Sequence, residues 1–558
     1  MASAEMAGLI RRGAQVWSQA GLHRAVGDVR KASASKHFAQ GWVGFLLHLY
    51  APMRILVESR QPHTLSACPM PEIDAGEGYV NWTARVVAEC YYPLLTATGV
   101  LARTTWNMGP TLVEQLKSFC PDMDIAGLLR TASDESIKLF GESGAFGQSM
   151  FHTVLTLDGD LDKRVQIGWG ARYYEVLYGR KPKALWLPEG AVDLATLSCL
   201  QSFGMQYVVL SPHSAKRFRI GDEWVDNVTR GDGLALDHGQ PYFVQVGGSP
   251  FQIFFYDGKL SNQFGFDDLL GRGKDTEKSE IDISAAARRV GDQIGHRLYF
   301  HGNCMVANDG EIFGHHRPDG LAIFQEYLQG AESRKQRITN YSQLAAEAEK
   351  DPSQMREVEL YFPSSWSCAH GDGRWSSNCG CEGDNPWREG LRSSLRYLAG
   401  EFDQIFDRET SRSLSDPEGA RIRYIDVLLG QQTFDDFIAA EKKPNIVISN
   451  ARRQKLSVLF NALVPRYAMF TSCGWFFHGF RLEIDINLGF AWELLTHMRL
   501  VTDVQDVREK FLLALAGTPN SPDLIASNQA PNAAVVFGRV IANQRSWLDR
   551  ILAASKAT

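Results

Sequence analysis

The chain has 558 residues, 44% of them hydrophobic and 22% charged, with a formal net charge of −6. That balance excludes a disordered polymer and a protein that binds nucleic acid through massed positive charge. The length exceeds what one core serves well, so a large unit and a smaller one are expected.

The first forty residues form a basic, Ser/Ala-rich arm, with Arg11, Arg12, Arg24, Arg30, Lys31 and Lys36 against only Glu5 and Asp28. Leu9, Ile10, Val16, Trp17 and Val26 recur at roughly helical spacing, which predicts an amphipathic surface helix over about Met6 to Val29. The same composition suits an organelle transit peptide, the alternative reading. No compact apolar run precedes a small-residue cleavage site and no stretch of 18 or more apolar residues occurs, so a cytoplasmic protein without a membrane span is expected. The 9 cysteines, an odd number scattered along the chain, fit a reducing compartment, and no disulfide is predicted.

Short apolar runs ending in polar or glycine-containing turns then recur, with helical stretches between them, the pattern of a parallel α/β barrel. Seven such runs end near His48, Trp106, His152, Glu189, His213, Asp257 and Asp309. An ionisable or aromatic residue stands where nearly every run stops. A parallel barrel builds its active site from the C-terminal ends of its strands, so these positions converge without being close in sequence. Beyond about Glu357 a Trp/Cys/Gly-rich loop leads into helical stretches around Glu389 to Phe406, Ala420 to Leu429, Gln432 to Glu441, Ala451 to Ala468 and Ile484 to Leu500. The charged stretch Arg272 to Ile283 reads as a surface loop, and Gly517 to Asn532, with three prolines, as a loop before the last helix. The predicted organisation is a basic arm over 1–40, a barrel over 41–356, a Trp/Cys-rich loop region over 357–388 and a helical domain over 389–558.

Two carboxylates fit the chemistry of a glycosidic bond, which is cleaved by one acid/base and one nucleophile or water activator. Glu189 follows an apolar run directly, with Pro188 stiffening the turn and Gly190 permitting close backbone approach. Asp309 follows the run Cys304 to Ala307 and precedes Gly310-Glu311. A carboxylate alone at a strand end is more often a loop cap or a salt-bridge partner.

The flanking residues carry a family resemblance. His48-Leu49-Tyr50-Ala51-Pro52, Trp186-Leu187-Pro188-Glu189 and Asn308-Asp309-Gly310-Glu311 with Gly314-His315-His316 resemble the ordered signatures of glycoside hydrolase family 57. Trp366-Ser367-Cys368-Ala369-His370-Gly371, Cys379-Gly380-Cys381 and Thr471-Ser472-Cys473-Gly474-Trp475-Phe476-Phe477 are similar to a large subgroup of that family. The matches run in order from about Phe45 to His478.

The resemblance implies an α/β fold, an incomplete (β/α)7 TIM-like barrel followed by a C-terminal helical domain. It implies a retaining enzyme acting on α-glycosidic bonds, an α-amylase-like hydrolase or an α-glucan transferase of branching type. By motif position Glu189 is the nucleophile and Asp309 the acid/base, which requires an ionised Glu189 and a protonated Asp309 raised by burial and by its neighbour's charge. His48 and His152 match positions lining the sugar subsite, and Trp475 matches a tryptophan closing over it. Trp106, His213, Asp257, Glu311, His315 and Trp366 are further candidates for sugar contacts. Where the subgroup commonly has a second histidine and a glutamine, this chain has Leu46 and Ala51, which points to a reshaped site.

The set Cys368, His370, Cys379 and Cys381 invites a zinc reading, yet C-x-C replaces the usual C-x-x-C and a reduced, packed thiol cluster explains the same residues. The proposed chemistry needs no metal and no cofactor. The expected partner is a carbohydrate substrate, with no nucleic acid. The rival readings are a catalytically weakened homologue serving as a subunit of a protein assembly, and a metal-dependent carbohydrate deacetylase.

Overall fold

The computed structural model describes residues 41–70, 82–97, 99–230, 233–271 and 281–557. The amphipathic helix expected over Met6 to Val29 and most of the charged stretch after Arg272 lie outside the described residues.

Seven strands form the barrel: β1 (Trp42–Leu49), β2 (Thr105–Met108), β3 (Ala145–Gln148), β4 (Leu185–Trp186), β5 (Tyr207–Leu210), β6 (Ser249–Phe255) and β7 (Cys304–Asp309). Each corresponds to one of the seven apolar runs read from the sequence. Parallel ladders join them in the order β7-β1-β2-β3-β4. A single bridge from Ala184 to Tyr207 carries the wall on to β5, which pairs in parallel with β6. Among the described residues β6 and β7 share no ladder; the Asp257 amide donates to the Met305 carbonyl at 2.6 Å across that seam. The barrel is incomplete there, and the helical region covers its outside.

Side chains alternate along each strand, and the parity decides what each residue meets. Trp42, Leu46, Phe146, Trp186, Tyr207, Val209, Phe254, Met305 and Ala307 fill the interior in one apolar cluster. Val43, Phe45, Leu47 and Leu49 face the other way, into a core shared with the surrounding helices. Helix Tyr341–Lys350 closes one end of the barrel with Tyr341, Leu344 and Ala345, and the Tyr207 and Ser342 hydroxyls meet at 2.7 Å.

A second sheet extends the wall beyond β6. Strand Tyr242–Val246 pairs with β6, and Arg356–Leu360 joins it to the hairpin Ala215–Ile220 and Glu223–Asp226. The seven-run pattern did not reveal this sheet, because its outer strands are short and half-exposed. The expected unit boundary at 356 falls on the first residue of its strand Arg356–Leu360.

Expected helices appear at Trp387–Thr410, Phe434–Glu441 and Glu483–Arg499, and the stretch expected over Ala420 to Leu429 is two helices, Pro417–Arg423 and Ile425–Leu428. The stretch expected as one helix over Ala451 to Ala468 is two, Asn450–Asn461 and Leu463–Ala468. Pro465 lacks the N–H that would continue the ladder to Asn461, which fits the break. The loop before the last helix contains a short helix, Pro522–Ala526.

The helical region is fixed to the barrel by buried polar contacts as well as by the shared core. Arg60 of the β1 connection pairs with Glu493 at 2.6 Å, and Gln544 bonds both the Val57 amide and the Ile55 carbonyl. Among the described residues no helix is long and apolar enough to cross a membrane.

Helix Asp160–Tyr178 approaches β3 so closely that a Cβ on Gly170 would lie 1.9 Å from the Gln148 carbonyl oxygen. Gly170→Ala is therefore expected to lower the thermal unfolding midpoint sharply. Gly538→Ala, in an exposed turn of the last helix with nothing near its Cβ, is expected to raise stability by about 0.5–1 kcal/mol. Calorimetry or thermal circular dichroism checks both.

Candidate active site

Strand register builds the core of the site. His48 of β1 pairs with Asp309 of β7 on one side and with Asn107 of β2 on the other. Parity agrees, since 305, 307 and 309 alternate inward on β7 as 42, 46 and 48 do on β1. One inward row at the strands' C-terminal ends thus carries Asp309, His48 and Asn107. The amide of Asn107 touches His48 Nδ1, with Nδ2 at 3.0 Å and Oδ1 at 3.2 Å.

Glu189 enters from the turn after β4, the 3-10 segment Pro188–Gly190. Its backbone is left-handed, φ 59°, and His152, after β3, is held at φ 53°. Such conformations are unfavourable for residues with a Cβ and persist where surrounding structure enforces them. For Glu189 the enforcing contact is the Trp366 segment: the Trp366 amide donates to the Glu189 carbonyl at 3.1 Å, and Val192 bridges Ser364. Gly190, φ 56°, lets that segment pass, since a Cβ would stand 3.3 Å from Trp366 Cβ.

The two carboxyl groups differ in environment. Burial raises Glu189 above its ordinary pKa, but hydrogen bonds from Ser472 and Trp366 and the charge of Arg374 pull it back toward the anion. The Trp366 indole N–H lies 3.3 Å from Glu189 Oε2. Asp309 is raised well above the carboxylate range, by burial first and then by the charges of Glu311 and Glu189. Nothing comparable favours its anion. Its side chain is nevertheless exposed, and a group surrounded by protein yet reached by water lines a recess. The charge of Glu189 is among those that raise Asp309, an effect that needs the two carboxyl groups near each other.

The rings around the pair form a compact group. Tyr50 stacks on His152 with centroids 3.8 Å apart, and His48 stacks on the His152 ring at 5.2 Å. Trp186 and Trp366 pack edge to face at 5.2 Å beside them. Burial lowers the pKa of His48 to about 4 and that of His152 well below its usual value. Both are neutral hydrogen-bonding rings near neutral pH. His152 Nδ1 meets the Ser472 hydroxyl at 2.9 Å, and the Ser472 amide donates to the His152 carbonyl at 3.0 Å. The helical region thus contributes one hydroxyl that reaches both His152 and Glu189.

Glu311 sits behind Asp309, takes a hydrogen bond from the Tyr91 hydroxyl, and is raised by burial to about 7. Trp366 belongs to the group through Glu189. His213 is exposed on the turn after β5, apart from these contacts. His315 is buried and paired with Glu89, which makes it a support for the Gly314 turn.

Three expected contacts do not hold. Trp106 is fully buried against Tyr178 on the outer face of β2, because its neighbour Asn107 takes the inward position. Asp257 also lies off the inward parity of Phe254; it caps helix Gly258–Gly265 and pairs with Arg297 and His238. Trp475 is fully buried, its indole N–H donating to the Arg388 carbonyl at 3.2 Å and its face covered by the Arg392 guanidinium. It presents no surface to a ligand.

Tyr50, Asn107, Ser472 and Arg374 were not expected. Tyr50 follows from carrying the alternation two residues past His48. Asn107 required the register of β1 and β2, and Ser472 and Arg374 arrive from distant segments that no local pattern connects to Glu189.

A cavity of about 430 Å³ lies elsewhere, lined by Asp158, Asp162, Arg392, Asp403 and Arg466 among others. Neither catalytic candidate borders it, and its ionic lining belongs to the contact of barrel and helices. Among the described residues, one group has the composition and spacing to hold a metal ion: Cys368, His370, Cys379 and Cys381.

Residues 137–356 match the family model for glycosyl hydrolase family 57. The matched segment holds His152, Glu189, Asp309 and Glu311, while His48 and Trp366 lie outside it. Residues 384–556 match a domain of unknown function (DUF3536). Among solved structures, the chain is similar to an exo-type maltose-forming amylase from Pyrococcus sp. ST04, with 14% identity over 86% of this chain and 83% of that one and a TM-score of 0.62. It is also similar to a GH57-type branching enzyme from Pyrococcus horikoshii, with 15% identity over 91% and 95% of the two chains and a TM-score of 0.55. A GH57 branching enzyme from Thermococcus kodakaraensis gives 16% identity, 85% and 94% coverage and a TM-score of 0.52. No curated protein matches. At these identities the likeness is one of fold, an incomplete barrel followed by helices.

Because burial holds His48 to a pKa of about 4, its ring nitrogens are expected to show no protonation step between neutral pH and pH 5. Nitrogen-15 NMR of histidine-labelled protein reads this directly, and a titration near 6.5 would contradict the buried row.

Proposed function

We propose that this chain acts on α-glycosidic bonds of glucans or oligosaccharides, as a hydrolase or a transferase, by double displacement with retention. Glu189 is the nucleophile and Asp309 the acid/base. The observation that carries this reading is the asymmetry of the pair: burial raises both, but three neighbours pull Glu189 back toward its anion, whereas the charges of Glu311 and Glu189 raise Asp309 further. An ionised attacker and a protonated donor are what the first step requires.

In that step Glu189 attacks the anomeric carbon while Asp309 gives its proton to the departing oxygen. In the second, Asp309 takes a proton from water or a sugar hydroxyl, which displaces Glu189. Tyr50 and Trp366, both half-buried at the recess, offer ring surface to a pyranose, and neutral His48 and His152 offer ring nitrogens to its hydroxyls. The α-glucan substrate rests on the family match and on the named activities of the proteins that share the fold.

Glu189→Gln and Asp309→Asn are each expected to lower kcat by a factor of about 100 or more, the scale of losing one acid/base or nucleophilic group. The assay is incubation with α-glucans and oligosaccharides, with products separated by size; longer or branched products indicate transfer and shorter ones hydrolysis. The rate should fall as pH rises through the elevated pKa of Asp309, because the proton donor is lost. Glu311→Gln removes the larger neighbouring charge, so the alkaline limb of kcat/KM should move to lower pH.

A second reading is a catalytically weakened homologue that serves in a protein assembly. It is favoured by Leu46, buried where the family resemblance places a second histidine, and by Tyr50, which covers one face of His152. Equal, negligible turnover by the unaltered chain and by Glu189→Gln on every α-glucan offered would support it over the first.

A further inference from the structure

We propose that Cys368, His370, Cys379 and Cys381 bind one zinc ion that staples the loop clasping Glu189. The four donor atoms, drawn from two stretches of the loop, all lie within 4.8 Å of one another. Cys368 Sγ is 3.9 Å from Cys379 Sγ and 3.7 Å from Cys381 Sγ, and His370 Nδ1 is 3.3 Å from Cys381 Sγ. A tetrahedral zinc bonded to sulfur at about 2.3 Å sets its sulfur-to-sulfur edges at about 3.8 Å. The two sulfur distances fall on either side of that edge, and none of the nine cysteines is bonded to another.

The short C-x-C spacing has a physical answer. Gly380 is left-handed, φ 77°, and Cys381 bridges Gly383, φ 88°. The backbone turns back on itself there, and Cys379 and Cys381 meet on one side with a single residue between them, a turn for which glycine is suited. Gly373, between the two donor stretches, lets them come together: a Cβ there would stand 3.1 Å from Cys379 Cβ and 3.4 Å from His370 Cβ. Three thiolates and a neutral imidazole leave a zinc site with one excess negative charge. Arg388 stands behind it, Nη1 3.9 Å from Cys379 Sγ, as an outer-shell cation that offsets that charge.

Four protein donors leave no open position, so the ion's role is structural. Its consequence for the site is positional. Trp366 lies two residues before Cys368, and Arg374 lies between His370 and Cys379. Both act on Glu189. Fixing the four donors fixes the loop that carries them, while metal binding itself is measured without any sugar assay.

The test is metal analysis of the full chain purified under reducing conditions without chelator. About one zinc per chain is expected, replaceable by cobalt with the visible bands of a tetrahedral, thiolate-bound ion. Cys381→Ser and His370→Ala, both at exposed positions, should each lose most of the metal with the helical circular dichroism unchanged, whereas His370→Cys should keep it. Loss of metal should also expose the 366–385 loop to proteolysis. A chain that carries no stoichiometric zinc and takes up neither zinc nor cobalt on titration overturns the proposal. So does full retention of zinc by Cys381→Ser combined with His370→Ala.

Discussion

The row formed by Asp309, His48 and Asn107 depends on parallel register. Pairing in a sheet is all or nothing with respect to side-chain direction, since a shift of one residue sends every side chain to the opposite face. Were β7 displaced by one position against β1, Asn308 would face the interior and Asp309 the helices. The apolar cluster beneath the row prevents this slip. Leu46, Met305, Ala307 and Phe146 pack together in one interior cluster in the present alignment, so the packed lower barrel holds the polar upper row in place.

A second constraint acts across the join between barrel and helices. Ser472 bonds the His152 backbone and side chain, and the Trp366 loop clasps Glu189 through its backbone carbonyl and its carboxylate. Glu189 and His152 are both left-handed residues, and both are the residues so held. The unfavourable backbone and the enforcing contacts occur together, which is the pattern expected where position matters more than local comfort. The helical region therefore completes the site as well as covering the barrel.

Electrostatics follows from this placement. Donors around a carboxyl favour its charged form, and neighbouring carboxylates favour its protonated form. Glu189 acquires Ser472, Trp366 and Arg374 from segments more than 170 residues away in the chain. Asp309 has Glu311 beside it by sequence and Glu189 by folding. His48 and His152 are neutral because they are buried, and the stacking of His152 with Tyr50 and with His48 suits uncharged rings.

The sequence by itself determined the seven barrel strands, most of the helices and the two carboxylates at strand ends. Those features rest on local periodicity and on turns, which are properties of neighbouring residues. It did not determine which of Trp106 and Asn107 faces inward, because an all-buried strand is apolar on both sides and its parity is set by its partner. It also could not assign Asp257 to Arg297 and His238, or Trp475 to the interior of the helical region, because those partners lie far along the chain. The thiol cluster shows the same division: the C-x-C spacing argued against a metal, and only the left-handed turn at Gly380 brought the donors to tetrahedral separation. Composition and pattern set what each segment is; the contacts between segments decide what each side chain can do.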